Sequence, residues 1–248
     1  MKQNKRLFTY SFAMLLIPFL SIQGCSDDTT GPDFDEDGDF ILGDGVTDID
    51  GNEYVTVIIG EQEWMAENLR TTKFNNGDQI TNVTDNSQWA DISTPAWAHY
   101  DNDSQYENPF GLLYNGYVID GSRNVCPEGW IVPSDDDWNI LIGYLDPSFD
   151  PDSQGTQSST AGGKMKSTGT EHWEFNNEAT NESGFTGLPG GFRNQGGVFS
   201  NLGERGQWWA SADSNTSFAY TRILQSANSV SRTPYSKKFG LSIRCLKK

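Results

Sequence analysis

Hydrophobic and polar positions alternate in short bursts along most of this chain, and a helical period appears clearly only once. Tyr54-Val55-Thr56-Val57-Ile58-Ile59 is rich in β-branched residues and follows the turn chemistry of Asp48-Ile49-Asp50-Gly51-Asn52, so it predicts a strand. Gly60-Glu61 then turns the chain into Glu63-Trp64-Met65, the hairpin partner. Beyond it Trp89, Trp97, Tyr100, Tyr106, Phe110, Tyr114 and Tyr117 are scattered among Asn, Asp, Ser and Gly, the texture of loop-rich β structure with aromatic anchors. Trp130-Ile131-Val132-Pro133 predicts a short strand, and Ser134 opens a helix on which Trp138, Leu141, Ile142 and Leu145 form one apolar stripe. Ser134 and Asp137 have the spacing of a capping box, and Asp135 and Asp136 suit the positive end of the helix dipole. Three adjacent aspartates also resemble a metal cluster, but capping accounts for them. Asp146-Pro147 stops the helix. Pro147 to Gly169 is rich in Ser, Thr, Gly and Asp and predicts a long surface loop. Within it Gly162-Gly163-Lys164 fails as a phosphate loop, because position 158 is Ser and Met165 follows the Lys. Phe239 to Cys245 alternates and predicts a closing strand.

The N-terminus has the pattern of an address. Lys2, Lys5 and Arg6 precede an apolar stretch from Leu7 to Leu20, too short to span a bilayer and the length of a signal h-region. Ile22-Gln23-Gly24-Cys25 resembles a bacterial lipobox, so residues 1–24 are expected to be cleaved and Cys25 to carry lipid. An ordinary signal peptide with an incidental cysteine is the alternative. Ser26-Asp27-Asp28 is similar to the surface-export signal of lipoproteins from Bacteroidetes and their relatives. The expectation is a protein of the bacterial outer membrane, anchored through its lipid and exposed at the surface.

Charge sharpens the picture. The net charge of −17 argues against a nucleic-acid partner, which needs a basic footprint. A mean hydropathy of −0.59 with one short apolar run excludes a polytopic membrane protein. Aromatic residues make up 12%, too many for a disordered chain of this polarity. From Cys25 to Leu69 there is no Lys or Arg, and residues 25–45 read as a self-repelling tether ahead of a folded domain spanning 46–248. In that tether Asp33, Asp35, Asp37, Asp39 and Asp44, with Gly38 at the turn position, approach a calcium loop; a solvated acidic linker is the plainer reading, and otherwise no cofactor is expected. From Arg205 onward basic residues dominate, placed to meet acids of the same domain or an acidic partner.

Setting Cys25 aside leaves Cys126 and Cys245, which in an exported domain read as a disulfide. Two free thiols or a zinc pair are the alternatives, and supporting ligands are scarce, His99 and His172 being the only histidines.

Several ordered motifs carry a resemblance. Asp48-Ile49-Asp50-Gly51-Asn52, Gln62 to Leu69, Cys126-Pro127-Glu128-Gly129-Trp130, Leu188-Pro189-Gly190-Gly191-Phe192-Arg193, Trp208-Trp209 and Gly240-Leu241-Ser242-Ile243-Arg244-Cys245 resemble the Fibrobacter succinogenes major paralogous domain, over about Val46 to Lys248. The resemblance implies an α+β, C-type-lectin-like fold, loop-rich, with short antiparallel strands and few short helices, akin to the core of formylglycine-generating enzymes. It implies no activity. The lectins' calcium–sugar triplets are absent, Glu107-Asn108-Pro109 having another order and place, and both candidate cysteines for oxidative chemistry are structural.

The chain is therefore expected to be a non-catalytic binding module, with a glycan or cell-wall polysaccharide as partner. Indoles pack on the apolar faces of sugars, and Trp173, Trp208, Trp209, Tyr220 and Tyr235 are the candidates. Trp208 and Trp209 fall on opposite faces of a strand, so one of them is expected to be buried. The competing expectation is a structural or protein-interaction component of the surface that binds no sugar. A hydrolase would need paired carboxylates; Glu171, His172 and Glu174 are the one tempting group and read more simply as loop surface.

Overall fold

The computed structural model describes residues 40–120, 123–174, 177–211, 217–225 and 227–248. In chain order come β1 (Val46–Thr47), β2 (Glu53–Tyr54), β3 (Thr56–Ile59), β4 (Gln62–Met65), β5 (Thr81–Asn82), α1 (Asn86–Asp91), β6 (Ala96–Ala98), α2 (Glu107–Phe110) and β7 (Leu113–Asn115). Then follow β8 (Trp130–Ile131), α3 (Asp135–Leu145), β9 (Gly155–Ser158), α4 (Ala161–Met165), β10 (Gly190–Arg193) and β11 (Phe199–Leu202). β12 (Gly206–Trp209), β13 (Phe218–Leu224), β14 (Val230–Ser236), β15 (Gly240–Leu241) and β16 (Leu246–Lys247) complete the sixteen strands among the described residues. They form four sheets, ordered β1-β2, β11-β10-β15-β7-β6-β5, β12-β13-β14-β9 and β3-β4-β16-β8. The strand ladders are antiparallel except β5 with β6. The architecture is loop-rich α+β with short helices.

The first hairpin forms as the pattern predicts, Val57 opposite Trp64 and Ile59 opposite Gln62. Asp48 organises the turn before it, accepting from the backbone N–H groups of Asp50 and Asn52, both at 2.9 Å. At α3 the Ser134 Oγ accepts from the Asp137 N–H at 3.1 Å while the Asp137 carboxylate accepts from the Ser134 N–H at 2.7 Å. Its stripe of Trp138, Leu141, Ile142 and Leu145 is buried.

The core is double. One cluster gathers Tyr54, Leu69, Tyr114, Trp209 and Leu241, and the other Trp64, Trp138, Phe185, Trp208 and Leu224. β12 runs between them, so Trp208 and Trp209 point to opposite faces and both are buried. Expected for one of the pair, burial extends to both, because a strand with a core on each side has no outer face. In the second cluster the Trp64 and Trp138 rings lie 4.8 Å apart, and Phe185 meets Trp208 edge-on at 5.7 Å.

Three further differences have clear causes. The Pro147–Gly169 segment is not simply a surface loop, since it holds β9 and α4. Gly162 and Gly163 pack against residues 228–229, where a Cβ at Gly162 would come within 2.4 Å of the Ser229 carbonyl oxygen. Small residues here signal close approach. The closing strand divides into β15 and β16, which join different sheets, and the intervening Ser242, Ile243, Arg244 and Cys245 are buried on both sides. Ordered pairing also begins before residue 46: Leu42 bridges Val57, the Ile41 carbonyl accepts from Ile58 N–H, and Phe40 packs on the second core.

Cys126 and Cys245 are bonded, with their Cα atoms 5.9 Å apart. The basic C-terminal region meets acids of its own domain: Arg222 and Arg232 share Asp135, Lys237 meets Asp120 at 2.7 Å and Lys247 meets Glu63 at 2.5 Å.

Candidate functional site

A cleft of about 380 Å³ lies where the segment after β4 meets two loops. Ala66 and Glu67 supply one wall and Pro109 of α2 an edge. Ser167, Thr168, Glu171 and His172, which follow α4, form a second wall, and Asn181, Thr186 and Leu188 a third. Hydroxyl, amide, carboxylate and imidazole groups thus converge beside the apolar Pro109 and Leu188, the mixture expected of a small-ligand site.

The walls are fixed from behind by a buried polar network. Asn68 is its hub. Its Oδ1 accepts from Trp208 Nε1 and from an Arg244 guanidinium nitrogen, each at 2.8 Å, and its Nδ2 donates to the Phe110 carbonyl at 2.8 Å. Arg244 also donates to the carbonyls of Phe185 and Thr186, and its guanidinium lies 4.1 Å from the Phe185 ring centroid. It is fully buried with no carboxylate in contact among the described residues, and burial pushes its pKa down to about 9. Main-chain carbonyls, an amide oxygen and aromatic faces take the place of a counter-ion.

Glu67 is held by the Val55 N–H at 2.7 Å and by Arg70 at 3.5 Å. His172 stands edge-on to Phe110, the residue whose carbonyl Asn68 holds. Across the cleft Asn181 accepts from Thr186 N–H at 2.8 Å and donates to Thr186 Oγ1 at 3.0 Å. Both residues have φ of 51°, and a β-branched residue in this left-handed region is strained. Such strain persists where surrounding bonds over-determine it, and it gathers at functional sites.

Of the five aromatic residues chosen from sequence, two lie behind this cleft and none lines it. Trp173 is buried and donates from Nε1 to Ser167 Oγ at 3.1 Å, bracing a wall residue, with the buried Lys166 over its ring. Trp208 braces Asn68 in the same way. Trp209 belongs to the other core and donates to the Tyr114 carbonyl. As buried indoles these three have no ring face free to stack on a sugar, which corrects their expected role as contact residues. Tyr220 is half-buried beneath the Arg232 guanidinium at 3.6 Å, and Tyr235 is half-buried against Phe239 at 4.8 Å. They pack on different clusters and so do not form one aromatic surface.

Glu171 and His172, which read as loop surface, do line the cleft, whereas Glu174 does not. Pro109 of the Glu-Asn-Pro triplet also lines it, and Glu107 meets His99 at 2.9 Å. Ser167, Thr168, Asn181 and Thr186 escaped sequence reading because they are common loop residues with no periodicity. Among the described residues no group of three or more His, Cys, Asp or Glu side chains is placed to hold a metal ion. Cys25, Asp33, Asp35, Asp37 and Asp39 lie outside the described residues; Asp44 is exposed. No described helix is long and apolar enough to cross a membrane.

No curated protein and no solved structure matches the chain. The model of one family, the Fibrobacter succinogenes major domain, matches residues 57–247. That span takes in all of the β3–β4 hairpin but Thr56, together with α3, both bonded cysteines and every residue that lines the cleft. The chain belongs to the Fibrobacter succinogenes major domain family.

Proposed function

We propose that this is a lipid-anchored surface protein of the bacterial outer membrane whose C-type-lectin-like domain binds a glycan or cell-wall polysaccharide without catalysis. The cleft carries the reading: convergent hydroxyl, amide and carboxylate groups stand beside Pro109 and Leu188, on walls made rigid by Asn68 and Arg244. Sugars need such hydrogen bonding next to apolar C–H contacts, and rigid walls reduce the ordering cost of binding. In this reading Cys25 bears the lipid, and the acidic segment after it holds the domain away from the membrane.

The test is a glycan array probed with soluble protein beginning at Ser26, followed by calorimetry on any ligand retained. Binding should fall about tenfold or more in Glu171→Ala and in His172→Ala, an amount typical of losing one well-placed polar contact. An array with no retained glycan favours a protein-interaction component instead. Retention that neither substitution alters removes the cleft from the reading.

A further inference from the structure

Isolated exposed aliphatic side chains are ordinary on protein surfaces; several at one place are not. Among the described residues six large apolar side chains are exposed, and two of them, Leu42 at 58% and Val55 at 51%, line a single groove of about 720 Å³. A third, Ile49, sits on the turn joining β1 to β2, whose strands form one wall. The groove is nearly twice the volume of the polar cleft and has another character. Its charged lining residues are Asp44, Glu53 and Glu67, with no Lys, Arg or His. Arg70 and the Val55 N–H engage Glu67, which leaves Asp44 and Glu53 as the exposed acids.

We infer that this groove binds a segment of a partner protein that carries Lys or Arg beside aliphatic side chains. The aliphatic groups would cover Leu42 and Val55 while the cations meet Asp44 and Glu53. Charge complementarity selects this occupant. The chain's own residues 25–39 carry seven acids and no base, a charge that complements neither Asp44 nor Glu53. Anionic lipid is disfavoured on the same ground. The net charge of −17 would speed encounter with a cationic partner. The inference is independent of the glycan reading, although Glu67 lines both features and is left unaltered in the test.

Fluorescence anisotropy with a labelled Lys-Val-Lys-Val-Lys-Val peptide, on protein beginning at Ser26, tests it. Binding is expected that weakens with added NaCl. It should fall about fivefold or more in Val55→Ser and in the double variant Asp44→Asn with Glu53→Gln. Neither change touches the core, and circular dichroism checks that both variants fold. A Lys-Ser peptide of equal charge and a Glu-Val peptide should each bind at least fivefold more weakly. Equal binding of the Lys-Ser peptide, indifference to both variants, or no binding at all overturns the proposal. So does a concentration-dependent dimer in sedimentation that Val55→Ser abolishes, because a second copy would then be the occupant.

Discussion

Asp146 stands at the carboxyl end of α3, where the helix dipole disfavours a negative charge by about 0.3–1 kcal/mol. Burial also pushes its pKa up. Hydrogen bonds win against both: Ser148 Oγ and Ser158 Oγ each donate at 2.6 Å and the Ser148 N–H at 3.0 Å, so the pKa falls to about 2. A folded-state value below the unfolded one means that this stabilisation is complete above about pH 4 and is lost as pH falls toward 2. Asp146→Asn should therefore cost about 1.5–3 kcal/mol at pH 7, the usual worth of hydrogen bonds to a charged group. Urea unfolding at pH 7, 4 and 2.5 checks it. The gap between the two proteins should narrow toward the lowest pH, and a gap independent of pH would refute the assignment. From sequence Asp146 reads only as half of a helix stop, because its partner Ser158 is brought close by the fold. Arg244 and Asn68 are hidden in the same way. Both occur in motifs quoted from the sequence, yet nothing local shows that one carries a buried charge and the other satisfies it.

At the scale of elements α3 was the most legible, since its cap, dipole and apolar stripe all agree locally. The three aspartates of its first turn nevertheless do different work. Asp137 closes the capping box and Asp136 is exposed, while Asp135 receives Arg222 at 2.8 Å and Arg232 at 2.6 Å from two neighbouring strands. Arg222 is almost wholly buried, and Arg232 nearly so. Losing the cap costs one satisfied backbone donor, whereas losing Asp135 strands buried positive charge. Ser134→Ala should lower stability by about 1 kcal/mol, and Asp135→Ala by about 3–5 kcal/mol. Denaturant midpoints at pH 7 would show the order, and equal losses would mean that Asp135 acts only as a first-turn acid. The elements least legible were β9, α4 and the divided closing strand. In each, small or polar residues are buried by tertiary neighbours, so their burial leaves no two- or 3.6-residue period to read.

For the whole molecule the loop-rich β character, the hairpin and the disulfide were visible in the pattern, but the split into two cores was not. A strand with cores on both faces carries indoles at successive positions, and in isolation Trp208-Trp209 reads as one inside and one outside. The cleft was hidden for a related reason. Its lining comes from three loops and from Pro109 of α2, segments spread between residues 66 and 188. Other segments distant in sequence meet in the region around Cys126 and Cys245. Cys126 precedes β8 and Cys245 precedes β16, strands that pair through Leu246 opposite Ile131, while the Cys245 carbonyl accepts from Met65 N–H. The bond therefore locks the join between the internal strand β16 and the edge strand β8 of one sheet, and it does so across a separation of 119 residues. Closing so long a loop restricts the unfolded chain more than the folded one, worth about 3–5 kcal/mol. The double variant Cys126→Ala with Cys245→Ala should lose about that much in urea unfolding at pH 7. Both sulfurs are buried, so the bond is read in unreduced protein unfolded in guanidinium chloride and treated with iodoacetamide, where mass spectrometry should find neither sulfur alkylated. A loss below about 1 kcal/mol would place the restraint in the β8–β16 pairing and the shared core, with the covalent link adding little to folding.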